Sequence, residues 1–242
     1  MSYIFREHIK QSLAVIAFLI TLTACTSESY DAGDGPNSYL TADLVLLHTS
    51  QDKSVRSALL DDGTTLQFSN PFAQDWLTRP DSVYRALLYY DKTVAASDAA
   101  ASNPTATSIV RARSVSPVSV LRPVEAEDME TLRTDPVGFE SIWLSKNKSY
   151  INLSLLLKSG KTEADDALHA LGIVSHGTTT DADRRRTLHL TLYHDQGGVP
   201  AYYTVQQYVS IPTQLLEKAD TVELTLNTYN GKKVVKVAVS NL

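Results

Sequence analysis

Between Tyr150 and Leu157 the chain places Ile151, Leu153, Leu155 and Leu157 at every second position. Side chains alternate across a strand, so this period of two buries one face of a β-strand and cannot form the apolar stripe of a helix. Leu188, Leu190 and Leu192 repeat the pattern against His189, Thr191 and Tyr193. Such runs recur along the chain, are short, and are separated by turn residues. That punctuation predicts an all-β protein.

The first group of strands is predicted over Leu40–Thr49, Val55–Leu60, Thr64–Phe68, Val83–Tyr90 and Ser108–Leu121. Asp61-Asp62-Gly63 supplies a hairpin turn. Phe72–Leu77 reads as one helical turn, and the low-complexity stretch 93–106 as a loop. Five short strands over residues 39–121 suit an OB-like barrel. Residues 122–138 are acidic, bounded by Pro123 and Pro136, and read as a linker with a short helix over Glu125–Leu132. Residues 139–242 hold about seven further strands and a short helix at Thr213–Lys218, the pattern of a β-sandwich.

The N-terminus has a different character. Arg6 and Lys10 flank an apolar run from Leu13 to Leu22, which ends in Thr23-Ala24-Cys25. The run is too short to span a bilayer, which takes roughly 20 apolar residues, and it has the form of a secretory signal. Cys25 is the only cysteine. It has no disulfide partner within the chain, and its place directly after small residues predicts a lipoprotein signal over residues 1–24. Cleavage after Ala24 and lipidation of Cys25 would follow. Two or more acyl chains give stable membrane anchoring. Residues 25–38 read as a polar, flexible tether. The expected location is the cell envelope, anchored to the outer membrane on either its periplasmic or its surface face.

The chain carries a formal charge of −5, and −6 once residues 1–24 are removed. Its one basic run, Arg184-Arg185-Arg186, is offset by Asp181 and Asp183. Nucleic-acid binding, which rests on clustered Lys and Arg, is not expected.

The DDGTTL turn (Asp61–Leu66), ESIWLSKNKSYINLSLLL (Glu140–Leu157), LHLTLYHD (Leu188–Asp195) and IPTQLL (Ile211–Leu216) follow the lipobox in that order. In this order the chain resembles the NigD-like lipoproteins of Bacteroidetes. The resemblance implies an N-terminal OB-like barrel followed by a C-terminal immunoglobulin-like β-sandwich. It implies no catalytic residues.

The residues themselves give no catalytic, cofactor or metal set. His48, His169, His176, His189 and His194 lack close metal-ligand spacing. His189 and His194 lie five apart on one strand, so they face opposite ways. There is no G-x-S-x-G elbow. The expected function is non-enzymatic recognition of a protein or extracellular ligand, as an accessory or immunity-type factor. A carbohydrate-binding module is the alternative, with Tyr90 and Tyr203 as ligand-facing aromatics. A metal-assisted hydrolase built on the C-terminal histidines is the weaker one.

Overall fold

The computed structural model describes residues 40–92, 108–161, 168–216 and 218–239. The predicted signal, Cys25, the tether and the loop 93–106 lie outside the described residues.

Strands β1 (Leu40–Thr49), β2 (Val55–Leu60), β3 (Thr65–Phe72), β4 (Val83–Lys92) and β5 (Ser108–Pro117) close a barrel in the order β1-β2-β3-β5-β4. All neighbours are antiparallel except β3 and β5. Closure removes the exposed sheet edges. The interior is filled by alternate residues of each strand, among them Val45 and Leu47 of β1, Ala58 of β2 and Leu66 of β3, with Ala86, Leu88 and Tyr90 of β4. Leu77 is buried in the same core. The helical turn expected at Phe72–Leu77 does not form. Phe72 instead ends β3, paired with Val55 and with its ring 5.3 Å from that of Phe68.

The expected strand Ser108–Leu121 is broken at Val118, where the chain changes sheets. The short β6 (Ser119–Val120) runs parallel to β12 (Tyr203–Pro212), and β7 (Pro123–Glu125) runs parallel to β10 (Ala170–Thr180). With β8 (Gly138–Leu144), β9 (Tyr150–Ser159), β11 (Arg186–Asp195), β13 (Thr221–Thr228) and β14 (Gly231–Ala238), these form two facing sheets. One has the order β14-β13-β11-β10-β7 and the other β6-β12-β9-β8. Within residues 122–138, β7 pairs with β10 and Val137 is fully buried in the sandwich core, while Glu130, Thr131, Leu132 and Arg133 are exposed. The helices expected at Glu125–Leu132 and Thr213–Lys218 are single 3-10 turns, Ala126–Asp128 and Thr213–Leu215.

The sandwich core takes Ile151, Leu153 and Leu155 from β9, Leu188, Leu190 and Leu192 from β11, and Val222, Leu224 and Leu226 from β13. Each of these side chains contributes about 1.5–3 kcal/mol through burial. Barrel and sandwich belong to one compact unit, Leu40–Leu242. No described helix is long and apolar enough to cross a membrane.

Candidate functional site

The outer face of β9 begins the site. Asn152 and Ser154 point away from the sandwich core, as the alternation requires, yet both are buried. Asn152 is covered by Arg85, which projects outward from β4 between the inward-facing positions of the barrel. The Arg85 guanidinium holds both carboxylate oxygens of Asp61, at 2.5 and 2.6 Å. It also donates to Asn152 Oδ1 at 3.1 Å and to Ser210 Oγ at 3.2 Å. Asn152 Nδ2 donates to Asp61 Oδ2, and Ser210 Oγ donates to Asn152 Oδ1. The guanidinium carbon lies 4.4 Å from the centre of the Tyr150 ring. The Asn147 backbone N–H donates to the Asp61 carbonyl, so the β8–β9 turn also rests on the Asp61-Asp62-Gly63 turn. This network joins barrel to sandwich, and its planar, two-pronged geometry is particular to arginine.

Beside the joint lies a cleft of about 350 Å³. Leu44 of β1, Leu60 of β2 and Leu87 of β4 give it an apolar barrel wall. Tyr89 stands on the same outward strip of β4 as Arg85 and Leu87. Opposite are Trp143 of β8 and Tyr208 of β12, whose rings meet edge to face at 6.4 Å. Asp62 and Lys146 supply charge around these rings. Burial pushes the Asp62 carboxyl up, but hydrogen bonds from Thr64 and the nearby Lys146 charge outweigh it and hold the group below its usual range. Asp62 is therefore an anion at neutral pH.

Tyr90 is not a cleft residue, which corrects the expectation of an outward ring. It is 3% exposed, inside the barrel, and its hydroxyl donates to Asp43 Oδ2 at 2.8 Å. Burial, followed by that hydrogen bond and the Asp43 charge, raises its pKa far above the ordinary tyrosine value. The adjacent tyrosines do face opposite ways, but closure of the barrel turns Ala86, Leu88 and Tyr90 inward and leaves Tyr89 outside. Tyr203 is 50% exposed and begins β12, where it pairs with Ser159 and does not line the cleft. Arg85 and Tyr208 escaped the sequence reading. The available signal for Arg85 was a charge set inside the apolar run Val83–Tyr90.

The histidines divide between two places. His189 contacts Thr179 Oγ1 and Glu223. His194 faces the other way, is buried, and meets His169: Nε2 of His194 lies 2.9 Å from Nδ1 of His169, with the rings stacked. His194 Nδ1 lies 2.9 Å from the Asp135 carbonyl oxygen. That oxygen only accepts, so Nδ1 carries the proton, Nε2 accepts, and His169 Nδ1 donates. Burial and then the neighbouring His194 push the His169 pKa down, opposed by the Lys158 backbone. Among the described residues no group of three or more His, Cys, Asp or Glu side chains could hold a metal ion.

Residues 120–239 match the NigD-like C-terminal beta sandwich domain. A search of curated proteins found no match. Crystal structures show the same fold. A NigD-like immunity protein from Bacteroides caccae is 23% identical, with 81% of this chain and 91% of that one covered and a TM-score of 0.59. A candidate lipoprotein from Bacteroides fragilis is 12% identical, over 83% and 98% of the two chains, with a TM-score of 0.57. A candidate toxin-related protein from Parabacteroides distasonis is 20% identical, over 82% and 92%, with a TM-score of 0.53. The family resemblance carried by the sequence motifs is thus borne out: over residues 120–239 the chain carries the NigD-like C-terminal β-sandwich domain.

Proposed function

We propose that this chain is a non-enzymatic binding protein, held to the cell envelope by lipid on Cys25, which recognises a protein partner through the cleft between barrel and sandwich. The observation that carries the reading is the gathering of Tyr89, Trp143 and Tyr208 around one hollow. Trp and Tyr are enriched among the residues that dominate protein interfaces, because they bury large rigid surfaces and keep a polar tip. The likeness in fold to proteins described as an immunity protein and a toxin-related protein supports a protein partner. The likeness to a candidate lipoprotein supports the anchor, together with the signal pattern that ends at Cys25.

The test is capture of partners from intact cells by the tagged full chain and by its Trp143→Ala variant. A partner recovered reproducibly with the former and lost with the latter is expected. Recovery that is indifferent to Trp143 would overturn the assignment of the cleft. The anchor is tested separately by Cys25→Ala, which should move the protein from the detergent phase to the aqueous phase; a variant that stays with detergent would count against lipidation. A glycan is the second reading, since aromatic rings with polar neighbours also suit a sugar, and binding on a glycan array that disappears in Trp143→Ala would establish it.

A further inference from the structure

The sandwich guards its sheet edges unequally. β14, at one edge, carries Lys232, Lys233 and Lys236. β8 carries Glu140 and a register shift between Phe139 and Ser141. β7 is short and includes Pro123 and Glu125, and β10 beside it shifts register between Ser175 and Thr178. Charge, proline, bulges and shortness are the usual means by which a sheet refuses another strand. β12 shows none of them over residues 203–207. Tyr203, Thr204 and Val205 favour a strand, and Gln206 and Gln207 add no charge. β6 covers that side of β12 only at Val209 and Ser210.

The hydrogen bonds fix which way the bare backbone points. The Ser210 carbonyl accepts the Leu121 N–H on the β6 side. Backbone groups alternate sides along a strand, so the N–H and C=O of Thr204 and Gln206 point to that side too. Lys158, opposite Thr204 on β9, agrees: its N–H turns away from β12 to the Tyr229 hydroxyl. Among the described residues no strand pairs with Thr204 or Gln206 along this edge, and both are exposed. Exposed apolar side chains gather there as well. Tyr203 is 50% exposed, Tyr202 just before it 78%, and Val120 of β6 38%.

The run is complementary to itself. With a twofold axis through Val205, Thr204 of one copy lies opposite Gln206 of the other. Every outward N–H and C=O of these two residues then finds a partner across the axis. The lengths also fit. In this register Tyr203 of the second copy comes opposite Gln207, so its β12 begins just short of β6, which starts opposite Val209. A foreign strand has no such stop, and no charge on the run opposes its own image.

We infer that β12 is the docking edge for a second copy of this chain, the two strands pairing antiparallel over residues 203–207 so that two sandwiches share one continuous sheet. The inference goes beyond the binding function above and does not depend on Trp143.

The experiment is sedimentation of the detergent-solubilised full chain across protein concentrations, beside thiol cross-linking in intact cells. The chain should pass from monomer to dimer as its concentration rises. Gln206→Pro removes an N–H that no strand of the chain uses, so the internal ladder is kept. Dimerisation should weaken about tenfold or more, since each copy loses an interstrand bond. Thr204→Pro removes the other outward N–H and serves if the first variant does not fold. The two Val205 residues would form a non-hydrogen-bonded pair with Cα atoms about 4.5 Å apart, within reach of a disulfide. Val205→Cys treated with diamide should therefore give a species of twice the chain's mass, and Val234→Cys on β14 should not. A chain that stays monomeric at every concentration, a dimer indifferent to both proline substitutions, or Val205→Cys linking no better than Val234→Cys would each overturn the inference. So would Val205→Cys joined to a different protein, which would give the edge to a foreign strand.

Discussion

Arg85 and Asp61 form a two-pronged ion pair in which the two side chains are buried unequally, 1% exposed for the arginine and 19% for the aspartate. The pair is made within the barrel, yet its remaining donors and acceptors reach Asn152 and Ser210 in the sandwich. Removing one member of a buried pair costs about 3–5 kcal/mol, mostly because the other is left without compensation. Asp61→Ala strands the more deeply buried partner. It should destabilise the protein more than Arg85→Met, by about 1 kcal/mol or more. Urea unfolding of both variants checks the order, and equal losses would show that burial asymmetry does not govern the joint.

The His169–His194 contact makes stability depend on pH. The folded state lowers the proton affinity of His169 below its ordinary value of 6.5. The unfolded chain then binds more protons between the two values. Stability should be full above about pH 6.5 and fall as the pH drops through the depressed value. The urea midpoint at pH 7.5 and at pH 5 reads this loss. His169→Phe keeps a ring against His194 and should flatten the dependence; an unchanged slope would assign it to other groups.

Gly197 and Gly177 both have positive φ, at 59° and 80°, but they differ in surroundings. A Cβ on Gly197 would lie 2.2 Å from the Leu168 carbonyl oxygen, whereas one on Gly177 meets nothing within 4 Å. Gly177→Ala should cost only the backbone penalty, about 1–2 kcal/mol. Gly197→Ala adds a clash with backbone and should cost clearly more. Thermal unfolding of the two variants separates strain from crowding.

Leu153 is fully buried among the strands of both sheets. Leu153→Ala should cost about 2–5 kcal/mol, the usual range for a core leucine. A loss below about 1 kcal/mol would mean that the sandwich collapses around the gap.

The alternation in β9 and β11 was legible because it is local, and it placed both strands and their inward residues correctly. What lies over the opposite face was not legible. The same alternation turns Asn152 away from the core, but periodicity reports a face and not what covers it. The Tyr89–Tyr90 pair shows the same limit: neighbouring residues must diverge, and only barrel closure decides which one enters. His169 and His194 meet across the ends of β10 and β11, a contact that no spacing of histidines announces. The pairing of Trp143 with Tyr208 depends on β8 and β12 flanking β9. The broken strand at Val118 had a visible cue in Pro117, but its destination in two different sheets did not.

The passage from β5 into β6 and β7 bears on how such a chain can be inherited. Ser119–Val120 completes the edge of one sheet, and Pro123–Glu125 completes the edge of the other. A gene rearrangement that carried the sandwich away through the acidic stretch that follows would leave both sheets one strand short and bare two edges at once. Only a breakpoint near Pro117 delivers the sandwich whole. Recombination would thus tend to pass these two halves on together or to part them at that single seam.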